Sequence, residues 1–289
     1  MDLDYLKRIE DAFKKRGHGL QWHMMSGYII VQNLGLDWYQ KNCALGGQRV
    51  APFDQNLEED VLALDYHINL VRLGHMLFLL RDVPGFEHLL ADLARRDFEP
   101  VFFELHAAAL LVQNGYSIQF VRPTGVKGQD YDLEADIDGH CVAVEVKTRR
   151  AGPINNTRAL KNALSDAKKQ LSRTKPGVIC VAVTTEYGSV EGAQHNEKEI
   201  ERTLYDFLSG TKRVNGIIVF WHRWSGNPPV CMTMVKEYRN YNARNHLGRE
   251  WLINPASSMF PTGGVQNGFP SFMSGAQQGA PADAAERQR

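Results

Sequence analysis

The segment Tyr131–Lys147, YDLEADIDGHCVAVEVK, brings two carboxylates and a lysine into a spacing that can do chemistry. Asp138-Gly139 is a two-residue type I′ hairpin signal, and such a turn fixes the register of the strands on either side. Asp132 lies six residues before Asp138 and Glu145 six residues after Gly139, so the two should face each other across the ladder. Residues so paired have Cβ atoms about 4.5 to 5.5 Å apart. Alternation along the second strand puts Lys147 on the same face as Glu145. It gives Val142, Val144 and Val146 the other face, with Leu133, Ala135 and Ile137. One face is expected to be core and the other reactive.

Opposed carboxylates destabilise each other unless they share a proton or hold a cation between them. A hard divalent ion such as Mg²⁺ takes one or two carboxylates and completes its shell with water and phosphate oxygens. That arrangement suits phosphodiester hydrolysis. Lys147 would then orient or help deprotonate the attacking water, or offset charge on the phosphate. An exposed sheet face with an ordinary ion pair fits the bare hairpin equally well. Glu104 adds a third carboxylate. Its helical neighbours Ala107, Ala108 and Leu111 make a small, apolar face that should pack closely on the sheet, where a charge needs a partner. The alternative is a Glu104 that flanks this stripe and reaches solvent.

The elements that must position these groups follow from periodicity. Leu3, Leu6, Ile9 and Phe13 predict a short opening helix. Leu57, Val61, Leu64, Ile68 and Val71 form a heptad-like seam on a helix that Asp54 could cap; packing inside the chain is favoured, with a homodimer contact as the alternative. Helices are predicted over 86–96 and 100–113, the second ended by Asn114-Gly115. The period then changes. Strands are predicted over 116–122, 131–137 and 140–147, a helix over 157–172, a buried strand over 177–184, a helix over 197–208 and a strand over 216–221. From Pro100 the order is αβββαβαβ, an α/β (α+β) fold with a mixed sheet flanked by helices. The expected organisation is a mainly helical region over 1–96, the sheet domain over 97–253, and a Gly-, Pro- and Gln-rich disordered tail over 254–289.

Lys and Arg, 33 in all, balance Asp and Glu, also 33, so any attraction to a polyanion must come from a local patch. The charged N-terminus resembles no secretory signal. The most apolar long stretch, 67–80, is broken by Arg72 and His75 and falls short of the roughly 20 residues that span a bilayer. Cys43, Cys141, Cys180 and Cys231 form no metal-type spacing, and reduced, buried thiols in a cytoplasmic protein are expected.

Taken together these residues resemble the PD-(D/E)XK nuclease superfamily, whose restriction-endonuclease-like fold includes Holliday-junction resolvases and repair nucleases. The likeness covers about 97–221: Glu104 in FFELHAAALLVQNGY, Asp132 in QDYDLEADI, the triplet Glu145-Val146-Lys147 in VAVEVKTRR, and the αβββαβ order. It implies that Asp132, Glu145 and the Val146 carbonyl bind Mg²⁺ or Mn²⁺. It further implies that Glu104 acts through the metal's water shell and that Lys147 serves the attacking water. Tyr131 stands where the family has its proline. Gln170 in DAKKQLSRT is similar to the helix glutamine of RecB-like relatives, although Thr174 replaces the tyrosine that follows it there. Asp130 competes with Asp132 for the metal role.

Between Lys147 and Lys175 nine basic residues face one acid, Asp166. Arg149, Arg150, Arg158, Lys161, Lys168 and Lys169 are the candidates for holding a phosphate backbone; the plainer reading is a solvated helix face. Trp221, His222, Arg223 and Trp224 offer aromatic surface for bases or for the core. The expectation is a metal-dependent nuclease acting on nucleic acid, DNA in preference, in repair, restriction or defence. The alternative is a catalytically silent nuclease-fold module that binds nucleic acid or a protein.

Overall fold

The computed structural model describes residues 4–8, 18–43, 59–93, 98–126, 128–149, 157–183, 193–225, 230–245, 247–248 and 252–253. Helix α1 is described over residues 4–8. It is followed by α2 (His18–Leu34), α3 (Leu36–Asn42), α4 (Glu59–Leu80), α5 (Phe86–Leu93) and α6 (Phe98–Gln113). Then come β1 (Ser117–Phe120), β2 (Leu133–Ile137), β3 (His140–Arg149), α7 (Thr157–Gln170), β4 (Gly177–Val183), α8 (Ala193–Ser209), β5 (Gly216–Ser225) and β6 (Val230–Arg239). The predicted order from α6 to β5 is present. Helices α2 and α3 and strand β6 have no counterpart in the sequence reading. Asp54, Leu57, Arg150 and the tail 254–289 lie outside the described residues.

The six strands form one mixed sheet in the order β1-β2-β3-β4-β5-β6. Pairings β1–β2, β2–β3 and β5–β6 are antiparallel, while β3–β4 and β4–β5 are parallel. Parallel neighbours need crossovers, which α7 and α8 supply. Both faces of the sheet are consequently covered. On one face Val142, Val144, Val178, Cys180 and Phe220 pack with α2, α4, α5 and α6. On the other, Ala143, Ile179, Val181 and Ile217 pack with Leu164 and Ala167 of α7 and Leu204 of α8.

The face expected to be reactive is thus a covered one, in keeping with a sheet flanked by helices. A polar run at Glu145 and Lys147 reads as solvent-facing, but the β3–α7–β4 crossover lays a helix over it. Strands buried on both sides read as continuous apolar runs, as β4 (GVICVAV) does. The thiol expectation is corrected in part: Cys43 and Cys180 are free and buried, while Cys141 is free and exposed.

Helix α6 is buried almost throughout, from Phe98 to Leu111, because it lies between the sheet and the helical layer. Among the described residues no helix is long and apolar enough to cross a membrane. In that layer α2 and α4 approach closely at Gly74. A Cβ there would lie 2.5 Å from the Ser26 Cβ and 2.6 Å from its Cα, so it would press on backbone. Gly74→Ala is therefore expected to destabilise the fold by about 1 to 3 kcal/mol, the usual cost of overpacking. Urea unfolding of the variant beside the parent measures it, and an unchanged midpoint would show that the helices are free to separate.

Candidate active site

The hairpin is as the turn residues require. Asp138 and Gly139 both have positive φ, 55° and 77°, the type I′ geometry. Pairing runs from Ile137↔His140 to Leu133↔Val144, the register that sets Asp132 opposite Glu145. The ladder ends one residue before that pair. The Asp132 carbonyl still accepts from the Val121 N–H at 3.0 Å, while its carboxylate Oδ2 accepts the Val146 N–H at 2.7 Å. The Ala143 N–H bonds the Pro176 carbonyl at 2.9 Å, so odd-numbered residues of β3 bond toward β4 and even-numbered ones toward β2. A strand residue's N–H and C=O point to the same edge. Val146 therefore directs its carbonyl past the end of the ladder, to the side where Asp132 sits.

Glu145 is buried, with 1% of its side chain exposed, and Lys147 closes over it with 26% exposed. The Lys147 ammonium pairs with Glu145 Oε1 and donates to the Gln170 Oε1 at 2.7 Å. Gln170, singled out from sequence only by resemblance, thus holds the lysine in place from the end of α7. Burial pushes the Glu145 pKa up to about 8; the Asp132 carboxylate adds to this, Lys147 opposes it, and Glu104 adds a smaller push. The ion pair does not offset burial and the neighbouring negative charges together.

Glu104 is buried on α6, as its small, apolar neighbours suggested. It lines a cleft of about 310 Å³ together with Asp130, Tyr131 and Asp132. Asp130 has a different job from Asp132. Its Oδ1 accepts from Thr124 N at 2.7 Å, Thr124 Oγ1 at 2.9 Å and Gly125 N at 3.0 Å, which ties off the β1–β2 loop and lowers its pKa. Of the two aspartates, Asp132 is the one turned toward β3.

One charged cluster was not anticipated. Glu134, on the strand face of Asp132, accepts from Tyr131 and Lys175 and, at 2.5 Å, from Gln119 Nε2. Burial opposes its ionisation, but the bonds from Lys175, Tyr131 and Gln119 outweigh this and hold its pKa down to about 2. The i,i+3 pair Tyr131 and Glu134 was visible in the sequence; Lys175, on the far side of α7, was not connected to it.

The predicted basic residues fare unequally. At about 100° per residue, Arg158, Lys161 and Lys169 fall on the exposed side of α7 away from the buried Ala163, Leu164 and Ala167, while Lys168 and Gln170 flank that buried side. Lys169 pairs with Asp166 at 2.8 Å, and Lys168 lies over the Phe207 ring at 5.7 Å. Arg150 and the side chains of Arg149, Trp221, His222, Arg223 and Trp224 lie outside the described part.

Among the described residues no set of three or more His, Cys, Asp and Glu side chains forms a ready metal cage. The Asp132 carboxylate is near enough to Glu145 to raise its pKa, and the Val146 carbonyl is directed to the edge where Asp132 sits; these three would supply oxygen donors. This is a hard-oxygen set of the kind that suits Mg²⁺ or Mn²⁺, and the raised pKa of Glu145, set first by burial and then by Asp132, shows that its charged form is disfavoured without a further cation. The residues fit such an ion. The sequence matches no family model, and it matches no curated protein.

The sign of the pH dependence follows. Because the folded state raises the Glu145 pKa above the ordinary 4.5, its contribution to stability is full below about 4.5 and is lost as pH rises through about 8. Metal-free protein should lose unfolding free energy across that window, with a slope approaching about 1.4 kcal/mol per pH unit, the limit for one proton. Glu145→Gln should flatten the slope, and Mg²⁺ should restore stability to the parent at pH 8. Urea titrations at pH 5, 6.5 and 8 measure this; equal slopes in parent and variant would refute it.

Proposed function

We propose that this chain is a divalent-metal-dependent nuclease of the PD-(D/E)XK type, acting on nucleic acid, with DNA the favoured substrate, and working in repair, restriction or defence. The observation that carries the reading is the Asp132 carboxylate seated on the Val146 N–H beside buried Glu145 at the end of one ladder, with Lys147 held between Glu145 and Gln170. The αβββαβ order of elements from α6 to β4 supports it.

Asp132, Glu145 and the Val146 carbonyl would hold Mg²⁺ or Mn²⁺, which supplies Lewis-acid polarisation of the phosphate and a more acidic water. Hydrolysis forms a bond from water oxygen to phosphorus and breaks one P–O ester bond, with a proton lost from the water and one gained by the departing alkoxide. Lys147 has three N–H donors; two go to Glu145 and Gln170, and the third serves the phosphate oxygens or the attacking water. Glu104, on the same cleft as Asp132, orients water by accepting its hydrogens. Burial under α7 keeps these charges in a low-dielectric setting, where each acts more strongly.

A second reading has one observation in its favour. Lys147 already pairs with Glu145, which is how a silent nuclease-fold module that binds nucleic acid or protein would neutralise a vestigial site.

Cleavage assays separate the two readings. With Mg²⁺ or Mn²⁺ the parent should cut at least one of single-stranded, duplex or branched DNA, or RNA, and EDTA should stop it. Asp132→Ala, Glu145→Ala and Lys147→Ala should each reduce the rate at least about 100-fold, in the range seen for removing one stabilising group at a reacting centre. Binding in EDTA should be largely retained. A parent that cuts none of these substrates, or a Glu145→Ala protein that cuts at the parental rate, removes the enzyme reading and leaves the silent module.

A further inference from the structure

A second cleft, of about 260 Å³, is lined by Arg173, Lys175, Lys212, Arg213, Arg244 and Asn245. Three separate chain segments build it: the turn after α7, the loop between α8 and β5, and the turn after β6. Of its five cations only Lys175 has a carboxylate partner among the described residues, namely Glu134. Among the described residues no acid lines the cleft.

Cations left alone on mobile side chains spread apart; here Arg213 and Lys175 are held through their side chains, and Lys212 and Arg244 through their backbones. Arg213 donates from Nε to the Ser172 carbonyl at 3.1 Å and from Nη1 to the Lys168 carbonyl at 2.7 Å. The Arg244 N–H bonds the Lys212 carbonyl at 2.8 Å. Buried Asn240 donates to the carbonyls of Thr211 and Val214, and Asn245 donates to that of Thr174 at 3.0 Å. Burial, reinforced by the nearby Arg173 charge, lowers the Arg213 pKa, so like charges are held near one another. A frame that fixes repelling cations around an acid-free hollow is stabilised by a polyanion.

The position of the cleft identifies the polyanion. Tyr131 lines the carboxylate cleft beside Asp132, and its hydroxyl accepts from Lys175, which lines the basic cleft, at 3.2 Å. One side chain thus separates the two hollows. A small anion would occupy the basic cleft alone, whereas a strand with a phosphate at Asp132 carries its neighbouring phosphates past Tyr131.

We propose that the cleft of Arg173, Lys175, Lys212, Arg213 and Arg244 binds backbone phosphates of the nucleic-acid strand next to the one presented to Asp132 and Glu145. The inference rests on the nuclease reading of the carboxylate cleft. It makes this cleft, rather than the outward stripe of α7, the main source of phosphate affinity.

The test is the double variant Lys212→Gln/Arg244→Gln in the full chain, since the side chains of both residues are clear of the anchoring bonds. Binding of labelled 30-nucleotide single-stranded and duplex DNA is measured in EDTA across a salt series, beside Lys161→Gln/Lys169→Gln on the outer face of α7. Melting curves check that both variants fold, and the single Lys212→Gln variant replaces the double one if it does not. Each lost phosphate contact lowers the slope of log affinity against log salt by about 0.9 on duplex and about 0.7 on single strands. The cleft variant should therefore lose about two such units and bind about tenfold or more weakly, while the α7 variant changes less.

An unchanged slope in the cleft variant overturns the proposal, even if the parent cuts DNA with Mg²⁺. So does a parent that binds no DNA, or one in which sodium tripolyphosphate raises the melting temperature without displacing bound DNA. A parent that binds through the cleft yet never cuts sinks the nuclease reading and leaves the cleft's role as a phosphate-backbone site standing.

Discussion

Burying Glu145 beside Asp132, with Glu104 close by, is the constraint on which the rest of the arrangement turns. An ionised carboxylate taken out of water costs several kcal/mol even after relaxation, and neighbouring negative charge adds to that cost. Lys147 offsets part of it, but only because Gln170 fixes the ammonium over Glu145 from the end of α7. The position of α7 therefore matters as much as that of the strands. Its buried side, Ala163, Leu164 and Ala167, is made of small and medium side chains that let the helix lie close over β3 and β4.

The end of β2 does comparable service. Had the ladder continued through residue 132, the backbone of β2 would have taken the Val146 N–H. Instead the chain leaves the strand, the Asp132 side chain takes that N–H, and the Val146 carbonyl is left on the same edge. What turns the chain away is the loop before it, closed by Asp130 on Thr124 and Gly125. Two aspartates separated by one residue thus have complementary work, one shaping the loop and the other facing the strand.

The part of this that the sequence made legible is the part governed by local rules. A two-residue turn with Asp-Gly dictates register, and register dictates that residues 132 and 145 oppose each other; the observed pairing follows it. Apolar runs gave β4 and β5, and the small-residue face of α6 gave a buried Glu104. What was not legible depends on contacts between distant segments. The covering of Glu145 depends on where a crossover helix lands, and the end of β2 on a side-chain capping bond. Helix α2, apolar on several sides, lacks the single stripe by which an amphipathic helix is read. The basic cleft was half visible, since Arg173 and Lys175 close the charge run after Lys147. Lys212, Arg213 and Arg244 join them only through the sheet order.

Two glutamate–lysine pairs, both on the face of the sheet beneath α7, show how environment drives two carboxylates in opposite directions. Glu134 is partly exposed and accepts from a lysine, a tyrosine and an amide, so its carboxylate form is favoured far below the usual range. Glu145 is enclosed and meets one ammonium against two other carboxylates, so its charged form is disfavoured up to about 8. The first pair is satisfied by the protein and ties β1, β2 and the turn after α7 together. The second is not, since burial and neighbouring carboxylates outweigh its one ammonium. Neighbouring carboxylates whose environments drive their proton affinities apart mark the place where a fold accepts a further cation or transfers a proton. By that criterion the row of Asp132, Glu145 and Lys147 is the one we propose for the chemistry, and the row of Glu134 and Lys175 braces the strands between it and the basic cleft.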